Sequence, residues 1–146
     1  ILNLTEDKND QVRSCAVAAL GNIQPQVAQS IQPYLVKALQ DTDMRVRANA
    51  VEALEKLNLR ETAANIQPFI ECADNRLRAN AIKALLNFKV SAANQAIRKM
   101  MKDTNLKHRR SGLWVLKQAQ SLLNIPQILK NKNAESVHAA RPILEK

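Results

Sequence analysis

Apolar residues along this chain fall at helical spacing, and the pattern recurs. Val12, Ala16, Val17, Ala19, Leu20 and Ile23 reappear, offset for offset, as Val46, Ala50, Val51, Ala53, Leu54 and Leu57. They appear again as Leu77, Ala81, Ile82, Ala84, Leu85 and Phe88, and more loosely as His108, Gly112, Leu113, Val115, Leu116 and Ala119. Steps of four, then seven or eight, then eleven residues line one face of a helix about three turns long. Each stripe therefore predicts one amphipathic helix. Asn9, Asp43, Asp74 and Asn105 each stand four residues before Arg13, Arg47, Arg78 and Arg109, and all four are good N-cap types, so the helices should begin near Met44, Asn75 and Leu106 in the later copies. An earlier apolar stretch precedes each of these three copies, at 34–39, 66–70 and 97–101, and in the clearest copy a tight polar turn, Asp41-Thr42-Asp43, joins the two. The unit is a helical hairpin and the predicted class is all-α.

The motif arginines are 34, 31 and 31 residues apart. Self-similarity at such a period predicts an α-α superhelix, a solenoid of stacked hairpins in which each unit buries its apolar face against its neighbours. The column Ala16, Ala50, Ala81 and Gly112 should mark where another helix crosses most closely. The units run over about 1–24, 25–59, 60–90 and 91–120, with a degenerate or capping unit over 121–146, all in one repeat domain. In that last unit Leu122 to Leu129 and Ala134 to Leu144 would be the two helices, with Val137-His138 in place of Val-Arg, Lys132 in place of the turn aspartate, and Pro142 as a stop. Ile1 aligns with Leu35, in the middle of a first helix, and the chain does not open on Met. It reads as a fragment of a longer protein.

Pro33, with Asp41 eight residues on and Val46-Arg47 five and six further, resembles the HEAT-repeat consensus. The period of 31 residues is similar to the short bacterial and archaeal HEAT-like repeats of the phycobilin-lyase type. Copies three and four depart from the pattern: Cys72 stands where the aspartate belongs, Pro68 lies only four residues before it, and the fourth copy has no proline. The resemblance implies an interaction scaffold whose second helices line a concave groove. It also implies an Asp–Arg ladder between adjacent repeats, built from Asp7, Arg13, Asp41, Arg47, Arg78, Asp103 and Arg109. A cation in the first turn of a helix opposes the macrodipole, so these arginines need such anions nearby. Without an aspartate at position 72 the ladder should be weakest at the third unit.

Composition narrows the function. Only 3% of residues are aromatic, so the core must be built from Ala, Leu, Ile and Val, and two glycines leave no room for a phosphate-binding loop. No apolar run is long enough to span a bilayer. Cys15 and Cys72 fall in different columns, so no disulfide is expected and the setting is read as reducing, hence intracellular and cytoplasmic. His108 and His138 are the only histidines, no HExxH occurs, and Cys15 has no base near it, so neither metal, cofactor nor catalysis is expected. The His-Glu dipeptides of HEAT-like hydroxylases and the aromatic-acidic pocket of HEAT-like DNA glycosylases are also missing. The short-repeat resemblance alone would suggest a lyase or chaperone for a bound chromophore.

The net charge of +9 is unevenly spread. Residues 1–58 carry six Lys/Arg against seven acids, whereas 76–110 hold ten basic residues and one acid, Asp103. Arg45, Arg76 and Lys107 share a column and should form a row, extended by Arg110. Trp114 shares its column with Ala18, Glu52 and Lys83, and should therefore be accessible. These five residues, Arg45, Arg76, Lys107, Arg110 and Trp114, are the candidate partner-binding set. The partner implied is another protein or an acidic peptide segment; the alternative is nucleic acid held by the basic stretch.

Overall fold

The computed structural model describes residues 1–119, so the expected fifth unit over 121–146, with Lys132, His138 and Pro142, lies outside the described residues. Seven α-helices follow in order: α1 (Asp10–Leu20), α2 (Ala28–Ala38), α3 (Met44–Lys56), α4 (Ala63–Ile66), α5 (Asn75–Asn87), α6 (Ala92–Met101) and α7 (Leu106–Ala119). Among the described residues there is no strand, and no helix is long and apolar enough to cross a membrane. The motif helices α1, α3, α5 and α7 lie side by side as an inner row, and α2, α4 and α6 pack against it.

Local chemistry sets the helix starts. Asn9, Asp43 and Asp74 hold extended backbone angles and accept the first free N–H groups of α1, α3 and α5, and Asn105 does the same for Lys107 N in α7. Each satisfies a donor that the helix itself leaves unpaired. At the other end, Asn58 and Lys89 take the left-handed conformation, with φ of 55° and 60°. Leu59 N then donates to Leu54 O and Val90 N to Leu85 O, which closes α3 and α5 with the six-to-one bond that a left-handed C-terminal residue makes possible.

The third unit departs from a simple hairpin. Its first helix is α4, only four residues, continued by a 3₁₀ stretch over Gln67–Glu71. Pro68 removes a backbone donor, as Pro33 does inside α2. After Pro33 the chain has room to finish α2, but after Pro68 it must turn out at Cys72, which is already extended with ψ of 155°. Residues Leu2–Glu6, in the register of a first helix, also form a 3₁₀ helix.

The small-residue column is buried as expected: Ala16, Ala50, Ala81 and Gly112 all lie inside. A Cβ on Gly112 would meet Met101 Sδ at 2.9 Å and Met100 at 3.5 Å, so this column faces the first helix of its own unit. The column Ala53, Ala84 and Val115 faces the preceding motif helix and is buried, whereas its first member Ala19 is exposed. Among the described residues α1 has no earlier motif helix to lie against. Gly21 marks a second close approach, because a Cβ there would come within 2.9 Å of Ala53 Cβ and 3.0 Å of Ala53 Cα.

Two substitutions test this packing by denaturant titration. Ala50→Leu should destabilise by about 1–3 kcal/mol through overpacking; a neutral result would mean the column does not face a helix. Gly21→Ala should cost more than Gly112→Ala, because the first meets backbone and the second only the movable end of Met101.

Candidate partner-binding groove

The motif arginines bind the turns together in a consistent direction. Arg13 Nε and Nη2 donate to both carboxylate oxygens of Asp41, in the turn of the next unit, at 2.8 and 2.9 Å, while its Nη1 holds the carbonyls of Asp7 and Lys8 in its own turn. Arg78 repeats this with Asp103 at 2.9 Å and with the Ile70 carbonyl. Arg109 grips its own turn at the Asp103 and Thr104 carbonyls. The turn aspartates Asp7, Asp41 and Asp103 each also accept a backbone N–H two residues on. The Arg13 guanidinium holds the Asp41 carboxyl below the usual carboxylate range, and for Asp103 the Asn105 N–H does so first and Arg78 second. His108 fills the apolar position that opens its helix and brings Nδ1 within 3.3 Å of Arg78 Nη1.

The rung from Arg47 is missing. Its place in the third turn is taken by Cys72, whose thiol lies 3.4 Å from the Asp74 carbonyl and whose titration is pushed up by burial. A thiol that donates to its own turn is no substitute for a carboxylate, and Arg47 Nε is enclosed without a hydrogen bond.

A second set of polar links runs along the inner row. Asn49 Nδ2 donates to Ser14 O and Oγ, Asn80 Nδ2 to Ala48 O, and Asn75 Nδ2 to Ser111 Oγ. Asn49, Asn80 and Ser111 share one column of the repeat with Cys15, but a column does not show that its members bond across units. Further along, Glu55 lies between repeats with Asn87 donating to one oxygen and Lys83 Nζ 3.1 Å from the other. Burial pushes the Glu55 carboxyl up, against the pull of Lys83. Lys83 Nζ in turn sits 5.3 Å from the centre of the Trp114 ring, a cation–π distance.

These helices enclose an open groove. Between α5 and α7 lies a cavity of about 370 Å³ lined by Arg76, Asn80, Lys83, Arg110, Ser111 and Trp114, with Glu52 of α3 at its edge. A second cavity of about 220 Å³ continues between α1 and α3 past Asn22, Asn49 and Lys56, and both are bordered by Glu52 and Arg76. Three of the five candidate residues, Arg76, Arg110 and Trp114, thus meet in one cavity, and Trp114 is 41% exposed. Arg45 is drawn aside to Asp10 and Asp43 at 3.1 Å each, and Lys107 is exposed outside the cavity lining. The row foreseen from the column is therefore broken at Arg45. Lys83, which sequence reading did not select, belongs to the site; its shared column with Trp114 was the available signal.

Two stability experiments follow. Cys72→Asp should restore the missing rung and raise stability by about 1 kcal/mol, and Asp41→Cys should lower it; an unchanged denaturation midpoint for both would show that the rungs do not matter. Asp43, the N-cap of α3, has its carboxyl lowered to about 2, chiefly by Arg45 and then by the Val46 and Arg45 N–H groups. A carboxyl depressed in the folded state contributes stability above its unfolded pKa and loses it as pH falls through the folded value. Stability should therefore decline between about pH 4 and about pH 2. Asp43→Asn keeps the cap and should make this acid limb shallower in thermal melts.

The comparisons agree with this architecture. The family model for HEAT repeats matches residues 1–74, half of the chain. An engineered protein known from a crystal structure is similar in fold, with a TM-score of 0.57 at 19% identity. The alignment covers 82% of this chain and 61% of that protein, so the chain spans less than two thirds of its length. No curated protein matches the sequence. With its stacked helical hairpins and this match over half of its length, the chain belongs to the HEAT-repeat family.

Proposed function

We propose that this chain is a protein-interaction scaffold that receives a segment of another protein along the groove lined by α1, α3, α5 and α7. HEAT repeats generally mediate protein–protein interaction and are typically non-catalytic. The observation that carries the reading is the groove itself: two cavities share Glu52 and Arg76 and leave Trp114 accessible. An exposed Trp beside arginines is the composition of a binding hot spot. The free thiols Cys15 and Cys72 suit an intracellular setting.

The basic stretch supports a nucleic-acid ligand less well, because its charges divide between faces. Arg78 and Arg109 are turned into the repeat turns, and Arg98 and Lys99 lie on α6, where Lys99 pairs with Glu71 at 2.7 Å.

A photo-crosslinking residue placed at Ser111, in the groove, and at Gln95, on α6, separates the two. In extracts of the source cells, position 111 should give a discrete protein adduct that survives nuclease treatment, and position 95 should not. Adducts equal at both positions, or lost with nuclease, would overturn the scaffold reading.

A further inference from the structure

We infer that the α5–α7 end of the groove recognises an acidic peptide segment, with carboxylates on Arg76 and Arg110 and an apolar side chain against Trp114. The inference rests on the scaffold reading and adds the chemistry of the occupant. Arg76, Ala79, Asn80 and Lys83 are spaced three, four and seven residues apart, and Arg110, Ser111 and Trp114 one and four, so one face of each helix lines the cavity.

The charges there are unequal in how far they are already answered. Lys83 is held by Glu55 and braced over the indole, which positions the ring without leaving a free cation. Glu52, the acid in the lining, pairs with Lys56 at 3.2 Å. Arg76 has only the neutral amide oxygen of Asn49, at 2.8 Å, and Arg110 makes no hydrogen bond or ion pair among the described residues. Two uncompensated guanidiniums thus flank an exposed Trp. Guanidinium groups bind carboxylates through paired, charge-assisted hydrogen bonds, and a Trp beside them offers an apolar wall.

The other occupants fit less well. A phosphate backbone calls for a continuous cationic track with stacking platforms, whereas this groove has two free cations and one aromatic ring, and Arg45 is consumed by Asp10 and Asp43. The chain's own residues 120–146 carry Lys130, Lys132, Arg141 and Lys146 against Glu135 and Glu145, the wrong sign for this site. At the α1–α3 end Glu52 and Lys56 balance each other, so the acidic part of the segment belongs over α5 and α7.

Trp114 is the only Trp in the sequence, so its emission reports directly on the cavity. The full chain is titrated with a short peptide of alternating leucine and glutamate pairs, with its glutamine counterpart, and with oligothymidylate of matched charge, at low and physiological salt. The acidic peptide should shift the emission saturably, and the glutamine peptide should bind at least about tenfold more weakly. Arg76→Gln and Arg110→Gln, with folding checked by circular dichroism, should each weaken the acidic peptide by about tenfold. Arg76→Lys and Arg110→Lys should fall between, and Arg45→Gln should bind as the parent does. Equal binding of the glutamine peptide, tighter binding of oligothymidylate, or no emission change with any ligand overturns the inference. If that happens while the crosslink at position 111 survives nuclease, the acidic chemistry falls and the scaffold stands; if the crosslink is also lost, both fall.

Discussion

No hairpin in this chain can bury its own apolar stripe, and that constraint orders everything else. The helices with neighbours on both sides are the most deeply enclosed: α5 buries Arg78 and Asn80 along with its apolar residues, while α1 buries only Ala16, Val17 and Leu20. Stability in such an array is close to a sum of units and the seams between them. The seams depend on small side chains. Ala53 against Gly21 is a close approach across a seam, and Met101 against Gly112 is one inside a unit; neither leaves room for another methyl group without movement.

Polar residues at the seams set register. The arginine rungs tie the turn of one unit to the turn of the next, and the asparagine links do the same along the inner row. Where the rungs form, at Arg13 and Arg78, they fix how hairpins stack, while the Ala and Leu columns supply the driving force. The seam between the second and third units loses the rung but keeps the links from Asn80 to Ala48 and from Arg76 to Asn49, with Lys83 and Asn87 on Glu55, so its polar contacts lie along the inner row and not at the turns.

Much of this was legible in the sequence because the repeat aligns equivalent positions. Helix starts at Met44, Asn75 and Leu106 follow from the cap residues, and the buried alanines follow from the columns. Cys72 pointed to a ladder weakest at the third unit, but Arg47 was still counted in it, and its Nε is enclosed without a hydrogen-bond partner. What the columns do not encode is direction: a period says that Arg13 and an aspartate alternate, but not that Arg13 reaches forward to Asp41 while Arg45 leans back to Asp10. Nor does a column seen one unit at a time show that its members touch. Lys83 and Trp114 are stacked neighbours because they occupy the same position in consecutive repeats, and Arg76 and Arg110 meet although they do not.

The 3₁₀ stretch in the third unit also resolves a problem of length. A 3₁₀ helix rises about 2.0 Å per residue against about 1.5 Å in an α-helix. The nine residues from Ala63 to Glu71, five of them 3₁₀, therefore reach about 16 Å, close to the eleven α-helical residues of α2 at about 16.5 Å. By stretching rather than shrinking, a shorter repeat stands as tall as its longer neighbour. Units of unequal length can then share one wall without a step in it.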